Sequence, residues 1–327
     1  MKAGKLKESV LKRSILKQLH KKSDAVVAGP QVGCDYGCVG FEEKGGAVVA
    51  TATATLNSKY PGWSAVCNAC NNVATSGAAP KAVALNLLLP TSYNEEELRG
   101  LMKDITGACE YCQVDIVNGN TQVVRNVKEP VVTITAVGAA LETPVHSQNL
   151  RPGMDIVISK WIGLEGTAIL AEEKAEELRS RFAQPFLDKA AAFRKEMSIL
   201  PEAQLAAKMQ VAAMHDVSEG GVFGALWEMA QAANVGLTIE LKKIPVRQET
   251  IEISEFFDIN PYKMLSTGSL LMGTEDGNAL VLALEAIGVP AVVIGKATDS
   301  NDKVLVNEDE RRFLETTQTD ELYKALV

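Results

Sequence analysis

No stretch of this chain approaches the roughly 18–20 uncharged apolar residues that a helix needs to cross a bilayer. The longest apolar candidate, Ala82–Pro90, is far too short. The start does not read as a short basic-then-apolar leader ending in a small-residue cleavage site. Internal repeats, low-complexity runs and Gly/Ser linkers are missing as well. A broad basic surface is also lacking: 33 Lys and Arg stand against 41 Asp and Glu, for a net charge of −8. An acidic body has nothing with which to displace counterions from a line of phosphates. These absences exclude a membrane span, a collagen-like or disordered chain and a general nucleic-acid binder. The expectation is a soluble, cytoplasmic protein with neither membrane nor nucleic acid as partner.

What is present is ordinary globular material: 327 residues, 46% hydrophobic and 23% charged, enough for one large domain or two average ones. The charge is uneven, because residues 1–22 hold eight Lys or Arg against one Glu. Apolar residues at Leu11, Ile15 and Leu19 give that segment helical spacing. It reads as a capping helix with its lysines in water, although the pattern also suits a membrane-surface or targeting helix.

Further on, short β-branched runs alternate with longer amphipathic segments. Strands are expected at Ala47–Leu56, Ala82–Leu89, Val114–Val117, Val131–Val137, Ile156–Ser159, Leu237–Leu241, Ser269–Met272 and Ala291–Ile294. Helices are expected at Cys67–Ser76, Glu95–Tyr111, Gly166–Arg181, Glu219–Ala233 and Gly277–Ile287, with a helical pair between Gln184 and Val211. The turn Arg151-Pro152-Gly153 is the best boundary, dividing the chain into 1–150 and 151–327. Two α+β domains with helices packed on sheets follow from this mixture.

Four segments look too specific for mere turns: Val32–Gly37, Cys70–Pro80, Val117–Val123 and Met214–Gly221. Glycine beside small polar residues lets the backbone approach a ligand and aim N–H groups at an anion. The last of these ends where a helix is expected to start, a place suited to phosphate. Asp216 and Ser218 would also serve there simply as N-caps. Cysteines stand at 34, 38, 67, 70, 109 and 112, with C-x-x-C spacing in two pairs. Without a secretion signal such pairs suggest metal or redox chemistry, or buried small hydrophobes. His20 and His146 have no evident partners, and Trp63, Trp161 and Trp227 read as core or interface residues.

Several ordered segments resemble a known superfamily, that of aminoimidazole ribonucleotide (AIR) synthetase, the hydrogenase maturation factor HypE, selenophosphate synthetase and thiamin-monophosphate kinase. They are Leu150-Arg151-Pro152-Gly153-Met154-Asp155, Lys160–Thr167, His215-Asp216-Val217-Ser218-Glu219-Gly220-Gly221, Ile259-Asn260-Pro261, Ser266-Thr267-Gly268 and Ile294-Gly295. The chain is most similar to the HypE-like, AIR-synthase-related branch. The resemblance implies an N-terminal domain that pairs with its twin through a barrel-like dimer interface, and a C-terminal α/β-sandwich domain. It also implies magnesium and ATP between the domains, and phosphorylation of an amide or carbonyl oxygen. By position it implies nucleotide-site roles for Asp35, Asn72, Asn120, Thr121, Gln122, Lys160, His215, Glu219, Gly220 and Gly221.

The departures fall on the acids. Magnesium is a hard cation that wants carboxylate oxygens. Asp35 remains as a magnesium candidate, with Cys34 beside it. Where relatives carry Thr-Asp-Pro on a strand, this chain reads Thr51-Ala52-Thr53; where they carry Asn-Asp on a helix, it reads Asn71-Asn72. The Gly-Gly-Asp/His-Thr-Glu region reads Asn118-Gly119-Asn120-Thr121-Gln122. Losing about three of four carboxylates removes several kcal/mol of attraction each, even at an effective dielectric near 20. Weak magnesium binding and little or no ATP turnover are therefore expected, with a binding or scaffold role beside an active relative or maturation-pathway protein. HypE acts on its own C-terminal cysteine, whereas this sequence finishes Lys324-Ala325-Leu326-Val327, so that route is not expected here. An altered but active ATP-dependent enzyme is the first alternative. The second is a thiol-metal or redox protein holding zinc or an iron–sulfur cluster through Cys34, Cys38, Cys67 and Cys70.

Overall fold

The computed structural model describes residues 8–14, 16–18, 25–28, 30–41, 45–54, 58–317 and 319–326. Ile15, Leu19 and His20, named above, lie outside the described residues. A short helix α1 (Glu8–Ser14) precedes β1 (Val26–Ala28), β2 (Gly37–Phe41) and β3 (Gly45–Ala54). Then come α2 (Pro61–Ala74), β4 (Pro80–Pro90), α3 (Glu95–Cys112), β5 (Asp115–Val124) and β6 (Val131–Ala139). The strands form a six-stranded sheet in the order β1-β2-β3-β6-β4-β5, with only β4 and β5 parallel.

Alternation along the strands decides which face is covered. Val48 and Ala50, Val83 to Leu89 at every second position, and Val132, Ile134 and Ala136 are buried in one core with α2 and α3. The opposite face carries Thr51, Thr53, Thr133 and Thr135, whose hydroxyls pair across β3 and β6 at 3.0 Å. The α3 helix starts at a capping box, Asn94 with Glu97, and stops at Gln113 in a left-handed conformation. The sheet is open at β1 and β5, so no barrel closes within one chain.

The second half runs β7 (Asp155–Ser159), α4 (Leu164–Glu173), α5 (Ala175–Leu178), α6 (Gln184–Ala191), α7 (Leu200–Lys208) and β8 (Ala213–Val217). It continues with α8 (Gly221–Ala233), β9 (Gly236–Glu240), α9 (Gln248–Phe256), β10 (Ser269–Thr274), α10 (Gly277–Ala286) and β11 (Ala291–Thr298). It finishes with β12 (Lys303–Asn307), β13 (Glu310–Phe313) and α11 (Leu322–Ala325). A seven-stranded sheet results, ordered β13-β12-β9-β11-β7-β10-β8 and antiparallel except for β9 with β12. The architecture is thus two α+β units, each a sheet with helices against it, as expected.

Several expected boundaries moved for physical reasons. The segment Val117–Val123 is strand rather than loop, because β5 pairs with β4 from Asp115 to Val124 and the ladder overrides the Asn-Gly turn signal. Residues 213–217 are likewise a wholly buried strand, and only Ser218 to Gly220 form the loop before α8. The helix expected from Cys67 begins at Pro61, since proline is preorganised for a first turn. The helix expected over Gly166–Arg181 breaks at Lys174 into α4 and α5.

The two units are clamped by Asn71, a fully buried residue on α2. Its Nδ2 donates to Met197 O (2.8 Å), and its Oδ1 accepts from Ile199 N (3.0 Å). Trp63 Nε1 and Tyr111 Oη donate to Arg194 O and Lys195 O just before it. Substituting Asn71→Leu leaves an N–H and a C=O buried without partners, at about 1–3 kcal/mol for each. Urea denaturation is expected to show a loss of about 2–6 kcal/mol; an unchanged midpoint would mean that the clamp does not matter.

Candidate functional site

A cavity of about 300 Å3 lies where the two units meet. Its first wall is the end of β3 (Thr51 to Ala54) and the outer side of α2 (Ser64, Asn68, Asn72). Its second wall is Glu165 and Ile169 on α4, Ser218 and Glu219 before α8, and Asp320, Leu322 and Tyr323 near the end of the chain. All the acids on this surface therefore come from the second unit, and the first wall offers hydroxyls and amides.

Glu165 sits in the first turn of α4, which Gly163 opens in a left-handed conformation (φ 72°). The carboxyl is 2% exposed. Burial pushes its pKa up, opposed by hydrogen bonding to Ser64, Thr267 and Asn68. Its Oε2 has no hydrogen-bond partner among the described residues. Asp320 is also buried and accepts from the backbone N–H of Gly220 (2.7 Å), Leu322 (2.9 Å) and Leu265 (3.1 Å). Burial still outweighs those bonds and pushes its pKa up to about 6. Tyr323 Oη donates to Glu219 Oε1 at 3.3 Å, so the terminal segment is tied to the loop at two points.

The site expected for phosphate is therefore already filled by a side chain. Gly220 (φ 87°) turns its N–H outward ahead of α8, and the Asp320 carboxylate takes it. Gly221 must also stay glycine, because its φ is 65° and a Cβ would lie 2.5 Å from Tyr262 O.

Behind this loop a second cluster joins the units. His215, on β8 and 3% exposed at its side chain, places Nδ1 2.7 Å from Asp35 Oδ2 and Nε2 3.2 Å from Glu228 Oε2. The two carboxylates raise its pKa well above the usual histidine value, against the opposing effect of burial. With both nitrogens facing acids it is an imidazolium bridge. Asp35, His215 and Asp216 are the one group of three metal-donor side chains within 4.8 Å among the described residues. Both ring nitrogens are engaged by carboxylates, so without a metal the cluster is an ion pair that joins the two units.

The expected site residues thus scatter. Asn72 and Glu219 line the cavity, and Gly220 meets it through Asp320. Asp35 and His215 pair with each other instead. Lys160 is a pin: its Nζ donates to Glu196 O, Ser198 O and the buried carboxylate of Glu202. Asn120, Thr121 and Gln122 are exposed on the edge strand β5, where Asn120 Nδ2 donates to Asn86 Oδ1. His146, expected to be partnerless, stacks on Tyr36 and is hydrogen-bonded to its hydroxyl at 2.8 Å. The soft-metal set separates too: the Cys34 thiol donates to Tyr36 O, Cys38 is buried in β2, and Cys67 and Cys70 lie in the first core. Glu165 and Asp320 were missed. Glu165 stood within a quoted motif, as an acid in an otherwise apolar helix start. Asp320 had no local signal, because Gly220 is 100 residues away.

The acids that line this cavity are Glu165, Glu219 and Asp320. Magnesium takes oxygen ligands in near-octahedral geometry, usually one or two carboxylates together with waters and phosphate oxygens. Here two of the three acids are already bound, Asp320 to backbone N–H groups and Glu219 to Tyr323. No Lys or Arg is among the described lining residues to meet phosphate charge.

Models of the AIR synthase related protein family match the chain twice, the N-terminal domain over residues 33–140 and the C-terminal domain over 151–307. A putative hydrogenase expression/formation protein of Methanocaldococcus jannaschii is 28% identical over 247 residues, 74% of this chain and 71% of that protein. In the HypE–HypF complex, a chain superposes with a TM-score of 0.77 at 19% identity, covering 94% of this chain and 99% of that one. HypE in complex with ATP gives a TM-score of 0.73 at 18% identity, covering 98% and 97%.

Proposed function

From the premise that this chain belongs to the AIR synthase related family, we propose that it is a HypE-like member whose magnesium–nucleotide site has been given up for a binding or scaffold role. The observation that carries this reading is the composition of the cavity. Its first wall presents Thr51, Ala52, Thr53, Asn68 and Asn72, and the N–H of Gly220 facing it is capped by Asp320. The similar protein solved with ATP makes a nucleotide the natural occupant of such a joint. Here a triphosphate would meet acids without a cation beside them, and a buried carboxylate where its charge should go.

Partners follow from the edge strand. Ile116, Val117 and Val123 are exposed on β5, whose backbone edge is unpaired among the described residues. An apolar, unprotected edge is a template for strand addition. A second copy is its occupant in this reading, giving a homodimer, and a maturation-pathway protein is a further partner, since the similar protein HypE forms a complex with HypF. The domains divide between residues 150 and 151.

Calorimetric titration of ATP, with and without magnesium, tests the proposal. Absent binding, or binding indifferent to magnesium, is expected. One observation favours a second reading, an active enzyme with an altered metal shell: Glu165 Oε2 is buried without a partner, as a site awaiting a cation would be. Micromolar binding that requires magnesium would establish that reading and overturn the first.

A further inference from the structure

Four of the six cysteines lie on two helices that pack against each other. Cys67 and Cys70 occupy successive turns on the buried side of α2, and Cys109 and Cys112 do the same on α3. The two helices pack against each other in the first core, so two C-x-x-C pairs face one another. The Sγ atoms of Cys67 and Cys112 are 3.9 Å apart. Thiolates around one tetrahedral ion at about 2.3 Å stand about 3.8 Å from each other. Cys70 and Cys109 are buried in the same core, one helical turn from Cys67 and Cys112 on their respective helices. The pair found first in the sequence, Cys67 and Cys70, therefore has its partners on α3 and not at Cys34 and Cys38.

The cluster also has an entrance. A groove at the end of α3 is lined by Thr106, Cys109, Glu110, Gln113, Val114 and Asp115. Cys109 forms part of its floor, with Cys112 one turn further in. Asp115 and Glu110 at the mouth give an arriving cation a first anionic stop.

We propose that Cys67, Cys70, Cys109 and Cys112 are a four-thiolate site for a single soft divalent ion of the zinc class. Binding the ion forms four metal–sulfur bonds and releases the thiol protons to solvent. Closing the shell takes side-chain rotation, since no three of the sulfurs yet stand within 4.8 Å of each other. The ion would cross-link α2 to α3 and so stiffen the helix that carries Asn68, Asn71 and Asn72.

Cobalt is the probe. The full chain is unfolded, reduced, refolded without oxygen in the presence of Co2+ alone, and read by its thiolate-to-cobalt charge-transfer absorption. Saturation at one ion per chain is expected, with bleaching when Zn2+ is added. The double substitution Cys67→Ala with Cys112→Ala should abolish the band, and Cys34→Ala should leave it intact. A refolded wild-type chain without the band overturns the proposal, as does a band that survives in the double variant. The unfolding midpoint of zinc-loaded wild-type protein supplies a readout independent of variant folding. It should fall when a chelator strips the ion, and an unchanged midpoint would return the four cysteines to the role of buried small hydrophobes.

Discussion

Substituting His215→Ala is expected to lower the unfolding free energy by about 3–5 kcal/mol, the scale for removing one partner from a buried charge pair. The imidazolium is held between Asp35, in the first unit, and Glu228, on α8. Its removal leaves those two carboxylates facing one another without the cation that separates them. The pH dependence gives the sign. The folded-state pKa of His215 is raised well above its ordinary value of 6.5. A raised histidine pKa contributes stability that is fully present below about 6.5 and is lost as pH rises through the folded value. Wild-type stability should therefore decline above about pH 6.5, and His215→Gln should remove that part of the slope. Urea midpoints measured over this range decide it; a variant with the wild-type slope would show that the imidazole is neutral in the fold. Asp320 also titrates, but its value of about 6 places its contribution below this window.

The largest effect on ligand binding is expected from restoring acids to the cavity. Ala52→Asp with Asn72→Asp puts two carboxylates on the wall that has none. Two unit charges about 4 Å apart interact by about 4 kcal/mol at an effective dielectric of 20. Tenfold tighter magnesium-dependent ATP binding per restored acid, about 1.4 kcal/mol each, is a conservative expectation. The double variant should thus gain about 100-fold over wild type in calorimetry. Asn120→Asp alone should do nothing in a monomer, because its strand does not reach this cavity. No gain from the double variant would mean that these positions do not face the nucleotide.

Much of the fold was legible because its signals are periodic. Short apolar or β-branched runs at Ala82–Leu89 and Val131–Val137 named strands that the structure contains, and the helix expected at Glu95–Tyr111 is present with an Asn94 capping box at its start. The order of short motifs from Leu150 to Gly295 then pointed to the family. The site was less legible because its members serve two ends. Lys160, Asp35 and His215 stand in motif positions, yet they are spent on holding backbone and domains together. Asn71 and Asn72 are adjacent in sequence but point apart, one to a clamp and one to the cavity. No spacing rule separates such neighbours; only the rotation of α2 against the second unit does. The cysteines failed similarly. C-x-x-C pairs announce themselves locally, but which pair meets which is decided by the packing of α2 on α3.

Asp320 has one more consequence, in the order of manufacture. Ribosomes make the loop at Gly220 and the turn at Leu265 well before they make the carboxylate that both N–H groups receive. Until residue 320 emerges, that loop holds unsatisfied donors and the cavity lacks the wall formed by Leu322 and Tyr323. The nascent chain thus passes through an interval in which its joint is open and anion-hungry. Any partner or small anion that meets it then competes with the segment that carries Asp320 for the same N–H groups.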